Sequence, residues 1–222
     1  MENTIFFSPN GQNRTHDVVP ALLHAQDGTT LVFEDGIYDF YAEGAYHGYF
    51  FPGCNRNGDK QVIFPLLHLN NIIVDGGGAK FLFHDRVFPL IMQDCENVTL
   101  RNFSVDFSFP RCLEGTVSAV DEDGFFLQMD LAQSGCHVNE HGNMVIRAGS
   151  EQFSSSERRF FLEQRDWHCF LSVGDIYYQH NNPPATVVYC DAEEQDNGIR
   201  FRYREGSEKV HFTVGKRLMI SY

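Results

Sequence analysis

Polar side chains that could bind or transform a substrate lie within an otherwise apolar stretch in the middle of the sequence. They are Asp75, His84, Asp94, Arg101 and Asp106. On one surface, carboxylates and an imidazole can hydrogen-bond to hydroxyl groups, and two carboxyl groups can share acid and base catalysis. We predict that Asp106, Asp94 and His84 bind substrate. The sequence identifies no catalytic residue.

Each of these side chains also has a purely structural interpretation. Asp75 and Asp94 stand where apolar runs end, so their carboxylates can accept hydrogen bonds from the backbone of a turn. Asp106 lies inside a strand-like run, where the alternative is an outward carboxylate in solvent. His84 falls at a predicted corner, and both interpretations stay open for all four residues.

Two aromatic clusters are of the kind that stack on the faces of sugar rings. One is residues 46–51 (YHGYFF) and the other is Trp167 with His168. Aromatic side chains more often fill hydrophobic cores. Because 21 Phe are spread along the chain, core filling is the competing interpretation of both clusters.

The elements that must position these side chains repeat along the chain. Residues 71–76 (NIIVDG) match residues 97–102 (NVTLRN) at an offset of 97 − 71 = 26 residues. A strand pattern that repeats at such a period is typical of stacked coils, in which each coil covers the apolar face of the previous one. We therefore expect Asn71 to stack on Asn97 and Val74 on Leu100. Residues 76–78 (GGG) permit a sharp turn with positive φ.

The pattern changes after Pro110. Residues 115–129 predict a β-hairpin that turns at residues 121–124 (DEDG), and the 26-residue repeat is not found beyond them. The predicted fold class is all-β, with three parts. Residues 1–114 form the N-terminal part of a parallel β-helix, residues 115–215 form an inserted antiparallel, barrel-like module, and residues 216–222 restart the helix.

The same segments resemble a known group of proteins. Residues 28–41 (GTTLVFEDGIYDFY) and 70–110 (NNIIVDGGGAKFLFHDRVFPLIMQDCENVTLRNFSVDFSFP) resemble the pectate-lyase-like right-handed β-helix superfamily. Within it, they are most similar to glycoside hydrolase family 110, the bacterial α-1,3-galactosidases. The resemblance covers residues 29–117 and implies a barrel-like insertion after the early coils.

The resemblance implies an inverting glycosidase that acts on terminal α-linked galactose. Such an enzyme needs one carboxylic acid to protonate the leaving oxygen and one carboxylate to activate water. In that family these groups lie on later coils, so we expect the catalytic coils beyond Tyr222 and a chain that is catalytically incomplete. The alternative is a non-catalytic carbohydrate-binding or structural β-helix module. An uncapped end at Lys216–Tyr222 predicts self-association through a free strand edge.

Composition narrows the class of partner. With 17 Lys and Arg against 30 Asp and Glu, the net charge is −13, which disfavours nucleic acid and anionic membrane surfaces. Carbohydrate is the expected partner. The six cysteines and ten histidines show no metal-ligand spacing, so no cofactor is expected. No signal peptide is visible, which predicts a cytoplasmic protein, or a secreted one if a leader was removed.

Overall fold

A computed structural model describes residues 3–52, 57–110, 112–149, 151–155, 160–164, 167–173, 187–207, 209 and 212–221. The chain divides into two compact units, Met1–Ser108 and Phe109–Tyr222. Strands dominate both units and the described helices are short, which confirms the all-β prediction.

The first unit is built from short strands and one described helix. In chain order they are β1 (Thr4–Phe7), α1 (Thr15–Leu23), β2 (Thr30–Phe33), β3 (Ile37–Phe40), β4 (Tyr46–Phe50), β5 (Gly58–Leu67), β6 (Ile73–Asp75), β7 (Lys80–Phe83), β8 (Phe88–Gln93), β9 (Thr99–Arg101) and β10 (Ser104–Phe107).

Parallel pairing organises the first unit into three sheets. Strands β1, β2, β6 and β9 form one parallel ladder, and β3, β7 and β10 form a second. In the third sheet, β5 pairs in parallel with β8 and antiparallel with β4. Strands from successive parts of the chain therefore lie side by side in each sheet.

The predicted stacking of Asn71 and Asn97 is confirmed. Asn97 Nδ2 donates to Asn71 Oδ1 at 2.6 Å, and Asn71 Nδ2 donates to Asp27 Oδ1 at 2.7 Å. Val74 pairs with Leu100 in the parallel register. Both asparagines have positive φ, 56° for Asn71 and 54° for Asn97, a conformation that asparagine adopts more readily than most residues. The repeat in the sequence is therefore a repeat of the structure.

Aromatic packing fills the space between the three sheets. The ring of Phe81, 1% exposed, lies 4.8–6.0 Å from the ring centroids of Phe33, Tyr38, Phe40, Phe64 and Phe103. The buried hydroxyl of Tyr38 donates to the carbonyl oxygens of Phe7 at 2.8 Å and Glu34 at 3.0 Å. Burial raises the pKa of Tyr38 above its ordinary 10.0.

Gly77 shows why the turn after β6 consists of glycines. Its φ is 54°, and a Cβ built there would lie 2.3 Å from the carbonyl oxygen of Phe33. Any side chain would push β2 and this turn apart. The predicted positive-φ turn at residues 76–78 is therefore confirmed at Gly77 and Gly78.

The second unit contains the remaining elements. They are β11 (Cys112–Asp121), β12 (Gly124–Gln128), α2 (Leu131–Ser134), β13 (Cys136–Val138), β14 (Met144–Ala148), β15 (Glu151–Ser154), β16 (Phe160–Gln164), β17 (Trp167–Val173), β18 (Val187–Gln195), β19 (Gly198–Tyr203) and β20 (Arg217–Ser221).

Seven of these strands form a closed barrel in the order β11, β12, β19, β18, β17, β16 and β20. The predicted hairpin is its first part, because β11 and β12 pair antiparallel up to Asp121 opposite Gly124. Apolar side chains fill the barrel, among them Leu113, Val117, Phe125, Leu127, Ile199 and Phe201. One pair departs from the predicted antiparallel arrangement, since β17 and β18 run parallel.

The last strand differs from the sequence prediction. Residues 216–222 are expected to restart the helix, but Arg217–Ser221 is β20, which pairs antiparallel with β11 on one side and β16 on the other. β20 belongs to the barrel because every second side chain points into the barrel core, where Leu218 and Ile220 are 1% and 0% exposed. β20 therefore has a neighbouring strand on each side instead of the expected free edge, and self-association of the chain stays a prediction.

The boundary between the two units also lies earlier than expected. It falls between Ser108 and Phe109, and β11 begins at Cys112, whereas the sequence predicts a boundary at 114/115. Cys112 and Leu113 already pair with β20, so these residues belong to the barrel.

Candidate functional site

The outward side of the β3–β7–β10 sheet collects the polar groups that could bind a ligand. Tyr38, Phe40, Phe81 and Phe83 point into the core, so the residues between them point outward. The register places Asp39, Leu82 and Asp106 in one row across the sheet. We call the surface formed by Asp39, Lys80, Leu82, His84 and Asp106 the Asp39–Asp106 face.

His84 is held at one end of this face by a carboxylate and an aromatic ring. Its Nε2 lies 2.7 Å from Asp39 Oδ1, and its ring stacks on Tyr41 with centroids 4.4 Å apart and an interplanar angle of 10°. An ionised carboxylate can only accept, so Nε2 is the donor of this hydrogen bond. Burial, followed by the charges of Asp39 and Asp85, raises the pKa of Tyr41.

Asp106 is held at the other end of the face by Lys80. Lys80 Nζ lies 2.7 Å from Asp106 Oδ2, and the backbone N–H of Phe107 donates to Asp106 Oδ1 at 2.9 Å. The Lys80 hydrogen bond, followed by that of Phe107, lowers the pKa of Asp106 below its usual range. The carboxylate is therefore ionised at neutral pH and acts as a hydrogen-bond acceptor.

The spacing across the face suits recognition of hydroxyl groups. Asp39 and Asp106 flank Leu82 on strands two apart, about 9–10 Å between backbones at the usual strand spacing. Asp39 contacts His84 toward one end of β7 and Asp106 contacts Lys80 toward the other. Acceptors and donors therefore surround one apolar side chain, an arrangement that can hydrogen-bond to a polyol lying across Leu82.

Asp94, the third predicted site residue, lies elsewhere. It follows β8 at a corner with φ 52°, beside His68, which follows β5 with φ 54°. His68 Nδ1 is 3.4 Å from Asp94 Oδ2, and both side chains are about two-thirds exposed. The structure brings His84 and Asp106 onto one face and leaves Asp94 off it; ligand binding by all three stays a prediction.

Asp75 has the structural role that the sequence allowed. It accepts hydrogen bonds from the backbone N–H of Gly77 and the side chains of Arg101 and Asn102, at 2.8–3.1 Å. The Asn102 bond, then that of Gly77, lowers the pKa of Asp75. Asp75 therefore fixes the turn after β6 and joins it to Arg101 of β9 and to Asn102, which follows β9.

Asp39, Lys80 and Leu82 are the members of this face that sequence reasoning missed, and it also missed Tyr41, which stacks on His84. A signal for them exists, because residues 38–41 (YDFY) and 81–84 (FLFH) share alternating aromatic residues. Aligning these segments pairs Asp39 with Leu82, as in the structure. The hairpin of β4 and β5 intervenes and lengthens the offset, so the 26-residue repeat does not reveal this pair.

The described residues contain no group of three or more His, Cys, Asp or Glu that could hold a metal ion. An apolar gap of about 30 Å³ in the first unit, lined in part by Phe64, Phe81 and Phe103, is too small for a sugar ring.

None of the helices in the described part of the chain is long and apolar enough to span a membrane. The side chains of Trp167 and His168 lie outside the described residues.

Comparison with known proteins supports a relationship to α-1,3-galactosidases. The chain is 34% identical over 140 residues to α-1,3-galactosidase A of Shewanella woodyi, covering 60% of this chain and 23% of that protein. It is 38% identical over 150 residues to α-1,3-galactosidase B of Phocaeicola vulgatus, covering 67% and 24%. For α-1,3-galactosidase B of Akkermansia muciniphila the identity is 30% over 166 residues, covering 73% and 20%. No protein-family model matches the chain.

These matches cover about a quarter of the length of the curated relatives. They support a family relationship at the level of galactosidase-like proteins, as the sequence resemblance predicted.

Proposed function

We propose that this chain forms part of the framework and of the sugar-binding surface of an inverting α-1,3-galactosidase-like glycoside hydrolase. We propose further that the chain alone does not carry the pair of carboxyl groups that hydrolysis requires. The observation that carries the proposal is the similarity to α-1,3-galactosidases across most of the chain. The alternative is a carbohydrate-binding or structural module without catalysis.

The carboxylates with shifted pKa support the second half of the proposal. An inverting glycosidase needs a general acid whose pKa is raised so that it keeps its proton. Hydrogen bonds and positive charges instead lower the pKa of Asp75, Asp106 and Asp121. These three groups suit hydrogen bonding to hydroxyls better than proton donation to a leaving oxygen.

We infer that the parallel ladders of the first unit are early coils of a right-handed parallel β-helix. The shared 26-residue separation of the Asn71–Asn97 and Asp75–Arg101 contacts supports this inference. The Asp39–Asp106 face then lies on one side of the helix, where a sugar chain can run along the stacked strands.

The test uses the purified chain with a chromogenic α-galactoside and with an α-1,3-linked galactose disaccharide. We expect no turnover above the buffer rate. We also expect weak binding of methyl α-galactoside, with Kd near the millimolar range. Asp106→Asn and His84→Gln should weaken that binding, and the matched control Glu140→Gln, an exposed carboxylate of the second unit, should not.

Turnover that Asp106→Asn abolishes and Glu140→Gln preserves would contradict the proposal and place an active site on the Asp39–Asp106 face. Binding that neither Asp106→Asn nor His84→Gln alters would show that this face does not contact the sugar.

A further inference from the structure

The hairpin of β4 and β5 presents two large aromatic rings to solvent. Tyr49 is 64% exposed and Phe51 is 73% exposed. Their ring centroids are 5.2 Å apart and the planes meet at 63°. Tyr46 and Phe50 of the same segment are turned the other way, and Phe50 is 6% exposed. The sequence interpretation of this cluster as core is therefore correct for Phe50 and wrong for Tyr49 and Phe51.

Strand alternation places polar side chains on the same face as these rings. His47 and Tyr49 share one side of β4, and Phe51, directly after the strand, contacts Tyr49 on that side. The antiparallel register sets Asp59 opposite Tyr49 and Gln61 opposite His47. Gln61 Nε2 lies 3.4 Å from His47 Nε2, and Asp59 Oδ2 lies 3.8 Å from His47 Nδ1.

This combination of groups matches the two kinds of surface that a pyranose offers. The rings of Tyr49 and Phe51 contact each other edge to face, and their exposed faces can stack on the apolar C–H face of a sugar. A carboxylate, an amide and an imidazole at its rim can hydrogen-bond to the hydroxyls around that face. We propose that His47, Tyr49, Phe51, Asp59 and Gln61 form a second carbohydrate-binding surface, which we call the hairpin surface, with neutral pyranosides as its ligands.

The size and composition of the hairpin surface favour a sugar over a protein partner. A stable protein interface buries about 800 Å² on each partner and has an apolar centre. Among the described residues of β4, β5 and the segment directly after β4, the exposed large apolar side chains are the two rings, and the next outward positions along both strands are His47, Asp59 and Gln61. Two rings with polar neighbours are enough to hold a single sugar residue.

The hairpin surface and the Asp39–Asp106 face are separate sites. It lies on the sheet formed by β4, β5 and β8, whereas Asp39 and Asp106 lie on the sheet formed by β3, β7 and β10. The choice of galactose among neutral pyranosides rests on the proposed function. The existence of the hairpin surface rests on its own side chains.

The experiment measures binding of methyl α-galactoside and methyl α-glucoside to the full chain by saturation-transfer NMR and calorimetry. We expect Tyr49→Ala and Phe51→Ala each to raise the Kd at least about tenfold, since each removes a stacked ring. Asp59→Asn should raise it less. Phe6→Ala is the matched control, because Phe6 is 72% exposed and lies on β1. Its Kd should be that of the unaltered chain.

The outcomes separate this proposal from the proposed function. Binding that Tyr49→Ala and Phe51→Ala weaken, and that persists in part when Asp106→Asn removes the contribution of the Asp39–Asp106 face, supports the hairpin surface whatever the catalytic assays show. Preference for the glucoside with the same dependence on the two rings also supports it, and counts against galactose alone. Unchanged binding in both ring variants overturns it. A concentration-dependent dimer that Phe51→Ala abolishes, without any sugar binding, overturns it in favour of contact between two copies.

Discussion

The two units solve the problem of covering β-sheet edges in different ways. In the first unit, all described strand pairs except the antiparallel pair β4–β5 are parallel, and side chains such as Asn71 and Asn97 hydrogen-bond along the stack. In the second unit, mostly antiparallel strands close on themselves, with β20 joining β11 to β16. The sheets of the first unit have edge strands to which a further strand can pair, whereas the strands of the barrel pair on both sides.

The two ways of pairing strands differ in how much polar side chains contribute to stability. Stacked strands bring residues one repeat apart side by side, so Asn97 can donate to Asn71, and Asp75 can accept from both Gly77 and Asn102. Antiparallel closure aligns residues at unrelated separations, 103 for the ion pair of Arg217 with Glu114 and 9 for that of Arg202 with Glu193, so the described ion pairs of the barrel do not repeat along it. We therefore expect polar substitutions to cost more in the first unit than in the second.

Removing a central ring should have the largest effect and should reveal whether the units unfold separately. Phe81→Ala and Phe125→Ala each delete a buried ring, at a cost of about 3–5 kcal/mol in the free energy of unfolding. Trp167 is the one Trp of the chain and belongs to the second unit, so we use its fluorescence to follow the unfolding of that unit. Hydrogen exchange of β2 and β6 follows the unfolding of the first unit. Phe125→Ala should lower the urea midpoint of the fluorescence transition.

Phe81→Ala should speed hydrogen exchange in β2 and β6 and leave that midpoint in place, because its described ring contacts all lie in the first unit. A midpoint shift as large as that of Phe125→Ala would show that the two units unfold together.

A glycine substitution at a crowded turn should have the next largest effect. Gly77→Ala introduces a Cβ 2.3 Å from a carbonyl oxygen at positive φ, and we expect a loss of about 3 kcal/mol. Gly11→Ala is the matched control, because Gly11 also has positive φ and nothing lies within 4 Å of the added Cβ. Its loss should be about 1 kcal/mol. Equal losses in urea unfolding would mean that the crowding at Gly77 relaxes.

Breaking the asparagine ladder should have a smaller effect that tests the polar contrast directly. Asn71→Gly keeps the positive φ and removes two side-chain hydrogen bonds, so we expect a loss of about 1–2 kcal/mol. Asn71→Ala should lose about 1 kcal/mol more through backbone strain. In the barrel, Glu114→Gln weakens an exposed pair and should change stability by less than about 0.5 kcal/mol. A larger loss for Glu114→Gln than for Asn71→Gly would reverse the contrast.

Tyr38 gives the smallest expected effect, which is confined to alkaline pH. Because burial raises its pKa, the folded chain holds the phenolic proton more tightly than the unfolded chain. Its contribution to stability is present in full below the ordinary pKa of 10.0 and is lost as the pH rises above that value. Urea unfolding of the first unit between pH 8 and pH 11 should show this decline. The decline should be weaker in Tyr38→Phe, and an identical slope in both proteins would exclude Tyr38 as its source.

Contacts could be predicted from the sequence where residues one repeat apart lie side by side on paired parallel strands. The match of residues 71–76 with 97–102 predicted the Asn71–Asn97 contact, because parallel strands in register place such residues side by side. The β-hairpin at Asp121–Gly124 was predictable for a local reason, since its turn residues are adjacent in sequence. In both cases the information lies within a short stretch of the chain.

Prediction from the sequence failed where the partners lie far apart or where an insertion changes the spacing. β20 closes the barrel against β11, and their Arg217–Glu114 pair is separated by 103 residues. No local pattern distinguishes this closure from the start of another coil. The contact between Asp39 and His84 was not predicted, because the β4–β5 hairpin lies between them and their separation is 45 residues instead of one repeat.

The asparagine ladder also bears on how the protein folds while it is being made. In the contacts from Asn97 to Asn71 and from Asn71 to Asp27, the later side chain donates to an acceptor that the ribosome has already released. Synthesis of the 26 residues between neighbouring asparagines takes about 1–5 s, whereas a β-hairpin forms in about 1–10 μs. We therefore expect each turn of the chain to settle on a finished template before the next one emerges. Because each asparagine contacts a residue that is synthesised before it, the order of synthesis can also be the order of assembly.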